Sequence, residues 1–273
     1  MITYRNIYYL SENTGILAKD MGKAILCQFP DTSFREETIP FIRSKEDAHQ
    51  ARMKILQHSI ACRPVIISTL LDKKLNEVFS SPDIHLFTLL DDYICRTESI
   101  LGEKALWKSG FSRHDDVSIA KRVNAIHYSI NHDDGVSPRD YDEADLLLIG
   151  VSRSGKTPVS IYLATQMGIK TANYPLVGDD LLYGVLPEAI IRNRKKVIGL
   201  TITASILHNF REKRFPGSAY AQLETCESEL VQANNIFNSY NFPAVFSDRH
   251  SIEETATQVY QHLDRITYPK TVF

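Results

Sequence analysis

Leu146-Leu147-Leu148-Ile149-Gly150-Val151-Ser152-Arg153-Ser154-Gly155-Lys156-Thr157 is the stretch on which the fold turns. The apolar run at 146–149 is short enough for a strand and lacks alternation, as expected of a strand buried on both faces. It runs into a complete G-x-x-x-x-G-K-S/T pattern, from Gly150 to Gly155, Lys156 and Thr157, and a helical pattern over 156–166 follows. Strand, glycine-bearing loop and helix in that order belong to a parallel α/β sheet. The glycines let the loop fold back so that successive backbone N–H groups face one point. The helix N-terminus adds about half a positive charge there. Gly150, Val151, Ser152, Arg153, Ser154, Gly155, Lys156 and Thr157 together read as a phosphate cradle. Lys156 is placed for the terminal phosphate oxygens, and the Thr157 hydroxyl for a divalent ion such as Mg2+ bridging phosphates. Pro158 falls in the first helical turn, where a missing N–H costs nothing. Arg153 suits solvent as well as it suits phosphate.

Outward from this loop the chain alternates strand and helix patterns. Upstream, strands are expected at 6–10, 37–42, 64–70 and 84–89, and helices at 15–28, 45–59, 72–79 and 91–101. Ile16, Met21, Ile25, Leu26 and Phe29 fit a helical face turned to the core. Residues 102–118 turn polar and lose periodicity, which reads as a linker. A helix is expected at 119–131, then a turn-rich stretch. Downstream, strands are expected at 170–174, 197–201 and 244–246, and helices at 205–213, 219–238 and 251–263. The expected fold class is α/β, as two α/β domains of which the second has a P-loop-containing, kinase-like core. The expected division is 1–105 for the first domain, 106–143 for a linker and helix carrying an acidic turn, and 144–273 for the second domain.

Composition sets the outer bounds. A chain of 273 residues, 43% hydrophobic and 23% charged, is long enough for one or two cores and unlike a disordered or fibrous sequence. With 31 Lys and Arg against 33 Asp and Glu, its net charge of −2 gives no global footprint for nucleic acid or acidic lipid. No apolar run approaches the roughly 20 residues of a membrane span, and the first residues lack a basic-then-apolar layout. A cytoplasmic protein without a membrane partner is expected. Cys27, Cys62, Cys95 and Cys226 fit neither metal-ligand spacing nor a disulfide framework, so buried free thiols are expected.

Three further clusters could carry chemistry. His132-Asp133-Asp134-Gly135 places paired carboxylates shortly before the loop, suited to metal binding or to taking a proton from a hydroxyl. Read alone, Asp-Asp-Gly is ordinary turn chemistry. Ser11-Glu12-Asn13-Thr14-Gly15 joins the first strand to the first helix, where Ser11 and Thr14 suit helix capping or, at an exposed helix N-terminus, an anion. Arg211-Glu212-Lys213-Arg214 complements a helix C-terminus. No strand of four apolar residues ending in Asp follows the loop, which argues against a motor-type ATPase.

The stretch GVSRSGKTPVSIYLA, with NHDDG before it and TANYPL, GLTI, REKR and SAY after it, resembles the regulatory proteins of phosphoenolpyruvate synthetase and of pyruvate, phosphate dikinase. The opening YLSENTG and CQFP extend the resemblance over nearly the whole chain. It implies a bifunctional enzyme that phosphorylates a threonine of its target with ADP as donor and removes that phosphate with inorganic phosphate, releasing pyrophosphate. Reading S-G-K-T in the loop and N-Y-P in the next strand resembles the synthetase branch; the dikinase is the alternative target. The resemblance gives 150–157 the ADP phosphates, Lys156 and Thr157 the transferring phosphoryl group, and one of Asp133 and Asp134 the role of base. It makes Arg211 and Arg214 candidates for a second anion and implies a homodimer. The chain departs from the family at Glu12 and Asn13, where an aspartate and a small residue are usual. Two other functions compatible with the loop are an ATP-dependent small-molecule kinase and a nucleotide-sensing module.

Overall fold

The computed structural model describes residues 4–59, 62–109, 116–135 and 138–267. The chain divides into two compact units, Met1–His114 and Asp115–Phe273. In the first, β1 (Arg5–Leu10), α1 (Ile16–Leu26), β2 (Phe34–Ile39), α2 (Lys45–His58), β3 (Val65–Ser68), α3 (Lys73–Phe79), β4 (His85–Thr88) and α4 (Asp91–Leu101) alternate along the chain. The four strands form one sheet in the order β2-β1-β3-β4, every neighbouring pair parallel. In the second unit come α5 (Asp116–Asn131), β5 (Leu146–Val151), α6 (Lys156–Tyr162) and a π-helical turn at Leu163–Met167. They are followed by β6 (Thr171–Leu176), α7 (Asp179–Tyr183), α8 (Glu188–Arg192), β7 (Val197–Thr201), α9 (Ala204–Arg214), α10 (Leu223–Tyr240), β8 (Ala244–Phe246) and α11 (Ile252–Thr267). Here the order is β6-β5-β7-β8, again all parallel.

Both units are thus α/β, with one strand arrangement used twice. Where the order reverses, between each unit's first strand in the chain and its third, the loops at the carboxyl ends part and leave a crevice, the usual ligand site of such sheets. In the second unit that crevice lies between β5 and β7, where the stretch 150–157 begins. All of β5 is buried, and its side chains alternate between two cores. Leu147, Ile149 and Val151 pack with Leu230, Ala233 and Phe237 of α10, whereas Leu146 and Leu148 pack with Val159 of α6 and Val259 of α11.

Several expectations need correction. Helix α1 turns Ala18 and Gly22 to the core, not the large apolar set: Ile16, Ile25 and Phe29 are exposed, and Met21 and Leu26 only half-buried. The helix lies so close to its sheet that a Cβ on Gly22 would sit 2.2 Å from the Tyr9 ring. Strand β2 ends before Pro40, which has no N–H to continue the ladder, rather than running to 42. The helix expected over 219–238 breaks, because Ala219–Ala221 forms a separate 3-10 turn whose carbonyls serve other side chains: Tyr220 O accepts from Arg211, and Ala221 O contacts His208 Nδ1. The Asp179-Asp180 segment, in the stretch between 174 and 197 where no element is expected, is the first turn of α7. Of the cysteines only Cys226 is buried; Cys27 and Cys95 are exposed and Cys62 is intermediate. Helix α5, set with the linker from the sequence, packs on β6 and the π turn within the second unit. Residues 110–115 of that linker and Val136 and Ser137 after the acidic turn lie outside the described residues.

Candidate functional site

Gly150, the fifth residue of β5, has room for no side chain: a Cβ there would stand 2.3 Å from the Leu200 carbonyl oxygen of β7 and 3.0 Å from Ser154 Oγ. The chain then bends through Arg153 and Gly155, both left-handed, with φ of 75° and 92°. Glycine takes that conformation freely and arginine only under constraint. Ser154 N bonds back to Val151 O at 3.3 Å, and Ser247 Oγ donates to Ser154 O at 2.7 Å from the end of β8. The first intrahelical bond of α6 runs from Val159 N to Gly155 O, so the first-turn amides before it have no helical acceptor.

Lys156 folds back under this bend. Its Nζ donates to the carbonyls of Gly150 at 2.9 Å and Val151 at 3.0 Å, and the residue is buried. Burial lowers its pKa to about 8, against the opposing pull of Asp134 and then Asp133; Arg211 adds a smaller lowering. A cleft of about 880 Å³ opens beside it, lined by the loop, Asp133, Asp134 and Thr157 on one side and by Phe210, Lys213 and Arg214 of α9 on the other.

The acidic turn is brought to the loop by β6. After α5 ends, Asn173 of β6 receives the turn twice through its backbone: Asn173 N donates to His132 O and Asn173 O accepts from Gly135 N, both at 2.8 Å. Its side chain adds a third bond, from Nδ2 to Asp133 Oδ1 at 2.6 Å. Thr157 Oγ1 donates to the same carboxylate at 3.0–3.1 Å. Asp134 sits at the apex with φ of 52° and faces the cleft. His132 does not act with the pair; its ring stacks on Tyr128 and its Nδ1 lies 2.8 Å from Tyr128 O.

The two arginines part company. Arg214 lines the cleft with Lys213. Arg211 is fully buried and spent on structure: Nη2 donates to Glu229 at 2.6 Å and to Ser152 O at 3.1 Å, and Nη1 donates to Tyr220 O at 3.1 Å. It therefore props the loop from behind instead of facing an anion. Ser11 and Thr14 lie in the first unit and do not cap α1, whose N-cap is Gly15 with no side-chain bond. Ser11 Oγ accepts from Asn13 N, and Thr14 is exposed. Glu12 fills that unit's own switch-point crevice: its Oε1 accepts from Leu71 N and Asp72 N, at 3.0 and 3.2 Å, just beyond β3. The longer side chain at this position is thus a clamp between two loops.

Sequence reasoning missed Asn173, Ser160, Ser247 and Glu229 as supports, and Phe210 as a wall of the cleft. Of these only Asn173 carried a signal, as the lone amide of its strand. Among the described residues no three His, Cys, Asp or Glu side chains cluster as a metal site, and no helix is long and apolar enough to cross a membrane.

Comparison with known proteins agrees with the motif set. A protein of Desulfotalea psychrophila provisionally named phosphoenolpyruvate synthase regulatory protein is 53% identical over 266 residues, covering 97% of this chain and 98% of its own. Similarly named proteins of Laribacter hongkongensis and Neisseria meningitidis serogroup B are 38% and 35% identical, covering 94% and 96% of this chain and 96% and 97% of their own. The profile of the family described as kinase/pyrophosphorylase matches residues 7–260. With that match over most of its length, the chain belongs to the kinase/pyrophosphorylase family.

Proposed function

We propose that this protein controls phosphoenolpyruvate synthase by reversible phosphorylation of a threonine. In one direction the β-phosphoryl group of ADP passes to the threonine oxygen, the bond to the bridging oxygen breaks, and AMP leaves. In the other, inorganic phosphate attacks the phosphothreonine phosphorus, and free threonine and pyrophosphate result. The carrying observation is the convergence in one cleft of the loop from Gly150 to Thr157, the buried Lys156 and the carboxylates of Asp133 and Asp134.

Both directions need a diphosphate held and its charge balanced, which the loop amides, the N-terminus of α6 and Lys156 supply. With a pKa of about 8, Lys156 is largely protonated at neutral pH, and a bound diphosphate raises that value further. One carboxylate of the pair serves the attacking hydroxyl or phosphate by accepting its proton. Phosphoryl transfer asks chiefly for placement and charge stabilisation, so this set suffices. A divalent cation such as Mg2+ neutralises phosphate charge when bound; the Thr157 oxygen, its hydrogen committed to Asp133, is the hard ligand placed to hold it. Arg214 and Lys213, across the cleft, suit the second anion. The names of the relatives support the synthase as target, and we place the protein with it in the cytoplasm as a homodimer, the commonest oligomer.

The test mixes the protein with β-labelled ADP and either phosphoenolpyruvate synthase or pyruvate, phosphate dikinase. Label on a threonine of the synthase, lost on adding inorganic phosphate with release of labelled pyrophosphate, is expected. Label arriving only from the γ-position of ATP overturns the reading, and label on the dikinase alone moves the target.

A further inference from the structure

Two adjacent carboxylates enter the cleft, and the hydrogen bonds around them are not shared equally. Asn173 Nδ2 donates to Asp133 Oδ1 at 2.6 Å and to Ser160 Oγ at 3.0 Å, spending both amide hydrogens. Ser160 Oγ passes its own hydrogen to Thr157 O at 2.9 Å, and the Thr157 hydroxyl returns to Asp133. The circuit Thr157, Ser160, Asn173, Asp133 therefore closes through two arms of donation that leave the Asn173 amide and meet at one group that only accepts. That group is the Asp133 carboxylate. Asn173 is fully buried, and its backbone also bonds the turn on both sides of Asp133, so the segment that carries the carboxylate is fixed as well as the carboxylate itself. Asp134 makes no hydrogen bond among the described residues, is exposed to the cleft, and is the stronger of the two in its pull on Lys156. A carboxylate already receiving hydrogens from two donors is a poor proton acceptor, and an unencumbered one beside the reacting phosphate is a good one.

We infer that Asn173 is a positioning residue that commits Asp133 to orienting Thr157 and the first turn of α6, and leaves Asp134 as the catalytic carboxylate that takes the proton from the attacking hydroxyl. The inference rests on the phosphoryl-transfer reading above and deepens it. The proton moves from the threonine oxygen to Asp134 as that oxygen bonds to phosphorus; in the reverse direction it comes from inorganic phosphate.

The left-handed backbone at Asp134 makes Asp134→Gly a conformationally tolerated deletion of the carboxylate. Transfer from β-labelled ADP to the synthase is measured for the wild type, Asp134→Gly, Asp133→Asn, Asn173→Ala and Ser160→Ala, in mildly acidic buffer with Lys156 protonated. Asp134→Gly should lose about 100-fold or more in kcat, keep its KM for ADP within about twofold, and regain activity when formate is added as a replacement acceptor. Asn173→Ala, and more mildly Ser160→Ala, should lower kcat by roughly 10- to 100-fold through misplacement, with no rescue by formate. Should Asn173→Ala fail to fold, the partial loss in Ser160→Ala carries the same test. Near-normal kcat in Asp134→Gly, or formate rescue of an Asp133 variant instead, overturns the division of roles. A wild type that moves no phosphate from ADP overturns the parent reading and the base assignment together.

Discussion

Replacing Arg211 with methionine tests whether a buried cation behind the loop, and not the loop sequence alone, sets the loop's shape. Methionine retains an apolar stem of similar length but removes the donors to Ser152 O, Tyr220 O and Glu229, and the guanidinium stacked 4.0 Å over the Tyr220 ring. Stripping one member from a buried ion pair costs about 3–5 kcal/mol, mostly for the charge left behind. The Glu229 side chain is 24% exposed, so water recovers part of that cost, and about 2–3 kcal/mol is the expected loss. With urea slopes of about 1–3 kcal/mol per molar, the unfolding midpoint followed by circular dichroism should fall by roughly 1 M. Because the freed carbonyl belongs to Ser152, ADP affinity should weaken by about tenfold or more in protein that is still folded. Arg211→Lys, with one ammonium for three acceptors, should fall between. A methionine variant as stable as the wild type and equally tight for ADP would refute the idea that Arg211 sets the loop.

Other consequences are open to simpler assays. ADP binding needs protonated Lys156, so affinity should hold below about pH 8 and fall as pH rises through that value; in Asp134→Asn, which loses the charge that most favours the proton, calorimetry should place the fall at lower pH. Gly22→Ala forces a methyl group against the Tyr9 ring and should destabilise the protein by about 1–3 kcal/mol in a thermal melt, whereas Gly102→Ala meets open space and should cost about 1 kcal/mol, from its left-handed φ of 69° alone. Native protein treated with a thiol reagent should react fast at Cys27 and Cys95, slowly at Cys62, and at Cys226 only after unfolding, since burial both hides that thiol and raises its pKa.

Much of the fold was legible because strand and helix periodicities are local. β7 and β8 fall on 197–201 and 244–246 as expected, and the loop between β5 and α6 announces itself by its glycines. What escaped was settled by partners distant in sequence. Helix α1 shows a large apolar face, yet close approach to Tyr9 selects its small residues for burial. Helices α7 and α8 have five residues each, too short for periodicity to register. In the site, Lys156, Thr157 and the acidic turn were visible as residue types. Their mutual placement depends on Asn173, whose backbone and side chain join segments that sequence spacing does not relate. Arg211 illustrates the reverse: its charge suggested an anion, and only its burial beside Glu229 and Ser152 shows where that charge is used.

The claim beneath the functional account is that the bend from Gly150 to Thr157 holds a nucleoside diphosphate. A crystal structure of the protein with ADP tests it directly. The account predicts the β-phosphate seated within hydrogen-bond distance of the Gly155 and Lys156 amides, with Lys156 Nζ turned from the Gly150 and Val151 carbonyls to the phosphate. ADP bound elsewhere, with Lys156 still on those two carbonyls, would contradict it.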